Sequence, residues 1–180
     1  MEKMLKKLKK FMIVAAAAVM LSAGFATVAP KEASAHWADS NMEWAFGAKI
    51  ITTDQRDSLA TRSDAWVMIN RIILVNNMDS LWPSGIPYYP FQAQGFVLRN
   101  GISDGTRETN WVTRQEVAAM LYNVQHPFGA SNFDKVNNWA LSNNIYDLSR
   151  KNDFATRAEV VTMIRKGQYI NNFEGNFKGR

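Results

Sequence analysis

The sequence predicts an all-α domain built from one helix–loop–helix unit used three times. Three observations carry this reading. The element Thr-Arg-x-acid-apolar recurs as Thr61-Arg62-Ser63-Asp64-Ala65, Thr113-Arg114-Gln115-Glu116-Val117 and Thr156-Arg157-Ala158-Glu159-Val160, each with a methionine six positions after its arginine (Met68, Met120, Met163). Eleven residues before each threonine stands an isoleucine (Ile50, Ile102, Ile145), and six before that an aromatic (Trp44, Phe96, Trp139). Between these landmarks the apolar residues fall at helical rather than alternating spacing. Fixed spacing in three copies is the mark of one supersecondary unit repeated.

The first helix of each unit carries Met42, Ala45 and Phe46, then Phe96 and Val97, then Trp139 and Ala140. Gly101 and Asn144 stand just before their isoleucines, where helices commonly end in the left-handed conformation. Lys49 occupies that place in the first unit and departs from the rule. The second helices begin at the repeated element. Thr61, Thr113 and Thr156 read as N-caps with Asp64, Glu116 and Glu159 three positions on; the glutamates reach back to close a capping box, the shorter aspartate less readily. Ala65, Met68, Ile69 and Ile72 then share a face, as do Val117, Met120, Leu121 and Val124, and Val160, Met163 and Ile164. The methionines read as core filling.

Residues 1–35 read as a secretory signal: Lys3, Lys6, Lys7, Lys9 and Lys10, the apolar Phe11–Ala26, then Ala33-Ser34-Ala35. The apolar run is short of the ~20 residues a membrane span needs. Cleavage before His36 leaves 145 of the 180 residues. The leader holds six of the 21 basic and two of the 16 acidic residues, so the remainder has 15 and 14 and a net charge of +1. The high pI therefore belongs to the leader and does not point to nucleic acid. With no cysteine, an exported chain has no disulfide framework and relies on a packed core.

Capping accounts for the threonine and the acid but not for the arginine. A cation at the first helical position faces the positive end of the helix dipole, at a cost of a few tenths of a kcal/mol, so three of them point to a gain elsewhere. Two readings stand side by side. A guanidinium beside free helix-end amides suits a carboxylate or phosphate; equally, the arginine can form an ion pair joining neighbouring units.

The run Asn100-Gly101-Ile102-Ser103-Asp104-Gly105, followed by Trp111-Val112-Thr113-Arg114-Gln115-Glu116-Val117-Ala118-Ala119-Met120-Leu121-Tyr122, resembles the surface-layer homology repeat. It is also similar to the short repeats at the ends of some wall lysins. Trp139-Ala140 with Thr156-Arg157-Ala158-Glu159 is a second match, with Phe133-x-x-Val136 as its leading segment, and Trp44-Ala45, Ile50-Ile51 and Thr61-Arg62-Ser63-Asp64 a weaker third. The resemblance covers nearly all of residues 36–168. It implies a pseudo-threefold helical domain with grooves between repeats, which attaches exported proteins non-covalently to an anionic, often pyruvylated, secondary cell-wall polysaccharide. It further implies that the arginine of each element, Arg62, Arg114 and Arg157, lies in a groove and holds the anionic sugar. The family's Ile-x-Asp-Gly loop is complete only as Ile102-Ser103-Asp104-Gly105; the third copy has Asp147-Leu148 and the first Thr52-Thr53. If glycine lets backbone approach a sugar, the second copy is the intact one. Asp104, Gly105 and Trp111 then join Arg114 in the expected carbohydrate site. Arg114→Ala is expected to weaken wall binding most, Arg157→Ala less and Arg62→Ala least, with helicity unchanged.

The domain so read spans 36–170, with repeats at about 36–74, 92–126 and 132–168, an insert at 75–95 and a polar, glycine-containing tail at 171–180 that is expected to fray. In the insert, Leu81–Phe91 carries three prolines and four aromatics, which excludes a regular helix. Trp82, Tyr88 and Tyr89 there are candidates for seating a protein partner. This gives the rival expectation, an interaction protein on the same scaffold. For catalysis there is little. His36 and His126 are the only histidines; no metal-ligand spacing, nucleophile elbow or phosphate loop occurs, and the repeated acids are engaged as caps. The sequence thus points to a secreted, wall-associated binding module, with no enzymatic activity and no cofactor or metal; a small wall hydrolase is the least favoured alternative.

Overall fold

The computed structural model describes residues 36–76 and 90–170. A division of the chain falls between Ala35 and His36, and every described residue lies after it. The leader, the tail 171–180, and Trp82, Tyr88 and Tyr89 of the insert lie outside the described residues.

The described residues are all-α: α1 (Asp39–Gly47), α2 (Arg62–Asn76), α3 (Pro90–Arg99), α4 (Arg114–Gln125), α5 (Phe133–Ser142) and α6 (Arg157–Ile170). Among them no helix is long and apolar enough to cross a membrane. The insert is shorter than its sequence suggests, since α2 runs to Asn76 and α3 starts at Pro90. Proline at the first helical position loses nothing, because that amide has no partner within the helix.

The helices pair across the unit boundaries. α3 packs on α2, α5 on α4, and α1 on α6, while α6 also meets α2 and α4. Each unit's first helix thus leans on the second helix of the unit before it, and the first unit closes on the third. Between α1 and α6 the closure is polar as well as apolar: Arg165 donates to the Ser40 carbonyl (2.8 Å) and to Asn41 Oδ1 (2.9 Å), and Asn41 donates to Thr162 Oγ1 (2.9 Å). Met42, Ile50, Trp66, Ile69, Ile102, Leu121, Ile145 and Ile164 fill the core.

The first helices end alike. Lys49, Gly101 and Asn144 all have positive φ, at 57°, 63° and 53°. The following isoleucine amide bonds back to the carbonyl five residues earlier, Ile50 to Ala45, Ile102 to Val97 and Ile145 to Ala140, each at 2.8 Å. This is the Schellman arrangement, with the isoleucine buried against the residue it bonds. Lys49 therefore does not break the pattern; it adopts the left-handed conformation without being glycine. Lys49→Gly is expected to raise stability by about 1 kcal/mol in urea unfolding, since it relieves that conformation.

The second helices start as the sequence expects, and Asp64 does better than expected. Thr61, Thr113 and Thr156 accept from the amides of Asp64 (3.1 Å), Glu116 (3.2 Å) and Glu159 (3.2 Å). The three carboxylates accept from the threonine amides at 2.9 Å in every case, so all three boxes close, Asp64 included.

Where the three units meet, Ala60 N donates to Ala155 O, Ala155 N to Val112 O, and Val112 N to Ala60 O, each at 2.9 Å. This closed triangle of backbone bonds ties together residues more than 40 apart in sequence. Isolated antiparallel bridges flank it: Leu59 with Thr156, Thr61 with Trp111, and Thr113 with Phe154.

Candidate functional site

The two readings of the repeated arginine turn out not to exclude each other. Arg62 donates to Glu116 Oε1 (2.8 Å), Arg114 to Glu159 Oε1 (3.2 Å) and Arg157 to Asp64 Oδ1 (2.7 Å). Each acid divides its oxygens: one caps its own helix, the other takes the arginine of the preceding unit. The Thr-Arg-x-acid element is thereby a cap and an inter-unit clasp in one, closing from the third unit back to the first. This is the gain that offsets placing a cation at a helix start.

The helix-end amides are not free, which corrects the expectation of an anion site made from them. Arg62 N and Ser63 N donate to the carbonyls of Asn110 and Glu108; Arg114 N and Gln115 N to Asp153 and Lys151; Arg157 N and Ala158 N to Ser58 and Arg56. Loops of the next unit satisfy what the helix leaves open.

The expected grouping of site residues is also corrected. Asp104 does not accompany Arg114. It lies 2.7 Å from Arg62, which also donates to Ser103 Oγ (3.1 Å) and, through Nε, to the Thr106 carbonyl (3.0 Å). The ring closure places each arginine against the loop of the following unit, not its own. Gly105 is buried, with φ at 67°, and its carbonyl accepts from Gln94 (2.8 Å). Its positive φ serves the turn, and Leu148 adopts the same conformation at φ 65°. The third loop therefore keeps the shape of the second despite lacking glycine. Trp111 sits opposite Thr61 in the bridge ring and lines neither of the clefts described next.

Aligned on their isoleucines, the loop positions beside the three arginines are Asp104, Asp147 and Thr52, and the three sites differ accordingly. Arg62 is closed: it is only 4% exposed and its Nε, Nη1 and Nη2 all donate. Partial burial pushes the Asp104 carboxyl up, but the Thr106 hydrogen bonds and the Arg62 charge outweigh this and hold it below its ordinary 3.8. A lowered carboxylate stabilises the fold above that ordinary value and ceases to do so as pH falls through its lowered one. The Asp104 contribution is thus constant through neutral pH and lost only in strong acid.

Arg114 is half open. Asp147 lies 3.9 Å away, is held instead by Ser149, and the guanidinium lies 5.7 Å from the centre of the Tyr146 ring. Tyr146 in turn donates to the buried Asn137 (2.9 Å). A cleft of about 300 Å³ opens here, lined by Trp37, Arg114, Asn144, Tyr146, Asp147 and Lys166 among others. Arg157 has the fewest acidic partners, because Thr52 brings no carboxylate. A cleft of about 260 Å³ joins Arg157 with Thr52, Thr53, Ser63, Asp64 and Arg71. In both clefts the arginine Nε is buried with no hydrogen-bond partner among the described residues. A buried donor left unmade costs about 1–3 kcal/mol, so each of these arginines keeps one N–H that no described residue satisfies. Thr52, Arg71, Tyr146, Lys166 and Trp37 escape a sequence reading that assigns each loop to its own repeat.

Among the described residues no group of His, Cys, Asp or Glu side chains could hold a metal ion. No family model matches the chain, and no curated protein matches it.

Proposed function

We propose that the chain is an exported module that binds an anionic cell-wall polysaccharide non-covalently, and that its ligand carboxylates enter the Arg157 and Arg114 clefts. One observation carries this: two guanidiniums that line clefts keep an Nε that no described residue satisfies, while Arg62 is closed by the Thr106 carbonyl on its Nε and by Asp104 on its Nη2. Asp104 on Arg62 Nη2 shows how a carboxylate can sit against one of these arginines. At about 260 and 300 Å³, the clefts lie at the small end of ligand pockets and suit a single acidic sugar or its carboxylate substituent. The triple motif behind a leader sequence, and its likeness to the surface-layer homology repeat, support the same reading. Units arranged in pseudo-threefold fashion would make the Arg62 site a retired copy of the other two.

Purified sacculi, before and after extraction of their secondary polymer, test it in a pull-down. The chain is expected to sediment with intact sacculi and to remain in solution with extracted ones; equal, negligible binding to both contradicts the proposal.

A further inference from the structure

We propose that the molecule carries a second glycan-contact surface, an apolar stacking platform formed by Leu59, Trp111 and Phe154 at the end where α2, α4 and α6 begin. It rests on the wall-glycan reading above and assigns that ligand a neutral subsite distinct from the arginine clefts.

The geometry follows from the bridge ring. Leu59, Trp111 and Phe154 each precede a capping threonine by two residues, and the three bridges pair Thr61 with Trp111, Thr113 with Phe154 and Thr156 with Leu59. Residues two apart on an extended segment, and residues directly opposite in a bridge, point to the same side. All six therefore share one face. The three apolar residues are mutual diagonal neighbours, about 7–8 Å apart at Cα. The intervening Ala60, Val112 and Ala155 point the other way and are fully buried. Leu59, Trp111 and Phe154 are left 37%, 46% and 48% exposed, a triangle of apolar side chains alternating with threonines.

The size and surroundings of this triangle select its occupant. Roughly half of three large side chains amounts to an exposed area on the order of 250–300 Å², well short of the ~800 Å² each partner gives to a stable protein interface. Its flanks do not extend it. Arg107 with Glu108, and Arg150 with Lys151 and Asp153, are exposed and charged, whereas the core of a protein interface is depleted of charge. A small aromatic platform ringed by hydrogen-bonding groups fits the apolar face of a sugar ring with its hydroxyls turned outward. In sequence the platform leads into the clefts: Thr113 and Thr156 of its rim immediately precede Arg114 and Arg157, whose side chains line them. A polymer with an acidic unit in either cleft would reach the platform with a neighbouring neutral unit.

Polysaccharide released from sacculi, and the same polymer after chemical reduction of its carboxylates, are the two probes. Trp111→Ala and Phe154→Ala are each expected to weaken binding of the intact polymer about tenfold and to abolish the weaker binding of the reduced one. Trp111→Phe should retain both. Unchanged binding in the two alanine variants overturns the platform while leaving the clefts standing. Equal binding of the two polymers by the unaltered chain removes the clefts without touching the platform. No binding of either polymer overturns both. Concentration-dependent self-association that Trp111→Ala abolishes in sedimentation overturns the proposal in favour of a contact between copies. Should an alanine variant unfold, Trp111→Leu, which keeps an apolar cover over Thr61 but no ring to stack on, reads the same result.

Discussion

Arg62→Ala is expected to destabilise the domain by about 3–5 kcal/mol, the cost of breaking a buried ion pair from one side. The side chain is 4% exposed and joins three partners from the second unit besides its clasp to Glu116: Ser103, Asp104 and the Thr106 carbonyl. Removing it strands the mostly buried Glu116 Oε1 between a lost partner and Arg107, at 3.4 Å and more exposed. Urea unfolding followed by circular dichroism checks the value. Pairing the substitution with Glu116→Gln in a double-mutant cycle should show strong coupling, because the two act as one contact. Sequence alone placed Arg62 as the arginine of least consequence for binding, with helicity unaffected by its loss. The structure reassigns it as the residue on which the joint between the first two units depends most.

The second large effect is on binding, and it falls on Arg157. Its cleft has no loop carboxylate to compete with a ligand, since Thr52 stands where Asp104 and Asp147 stand in the others. A lost charge-assisted contact of about 2–3 kcal/mol corresponds to a 30- to 150-fold weaker wall affinity for Arg157→Ala. Arg114→Ala should weaken it less, because Asp147 at 3.9 Å already offsets part of the charge a ligand would meet. Arg157→Lys is the informative companion. Lysine can still pair with Asp64, so the fold should hold, but it lacks the planar fork and the Nε donor. Its affinity is therefore expected to fall nearly as far as that of the alanine variant. Affinity measured by calorimetry on the extracted polymer, with thermal unfolding in parallel, separates the two variants.

Most of the secondary structure was legible because its signals are local. The Thr-x-x-acid box, the isoleucine after a left-handed helix end and the apolar stripe each depend on residues within one turn or two. Lys49 and Leu148 escaped because φ above zero is disfavoured for them but allowed where surrounding bonds over-determine the turn. The site was less legible for a topological reason. Asp104, Gly105, Trp111 and Arg114 are close in sequence, which groups them into one groove when each loop is assigned to its own unit. The ring closes head to tail, so the loop of each unit serves the arginine of the unit before it. No local pattern reveals that permutation. The triangle of backbone bonds through Ala60, Val112 and Ala155 was invisible for the same reason, and with it the shared face of Leu59, Trp111 and Phe154.

The most direct measurement is the arginine Nε–Hε region of a nitrogen-15 correlation spectrum, recorded as extracted wall polysaccharide is added. Arg114 and Arg157 have an Nε with no partner among the described residues, and Arg62 has its Nε fixed to the Thr106 carbonyl at 3.0 Å. The expected result is that the Arg157 and Arg114 signals move downfield and saturate together with binding, while Arg62 stays where it is. Movement of Arg62 to the same extent, or binding of the polymer with all three signals still, would contradict the assignment of the two open clefts as the seat of recognition.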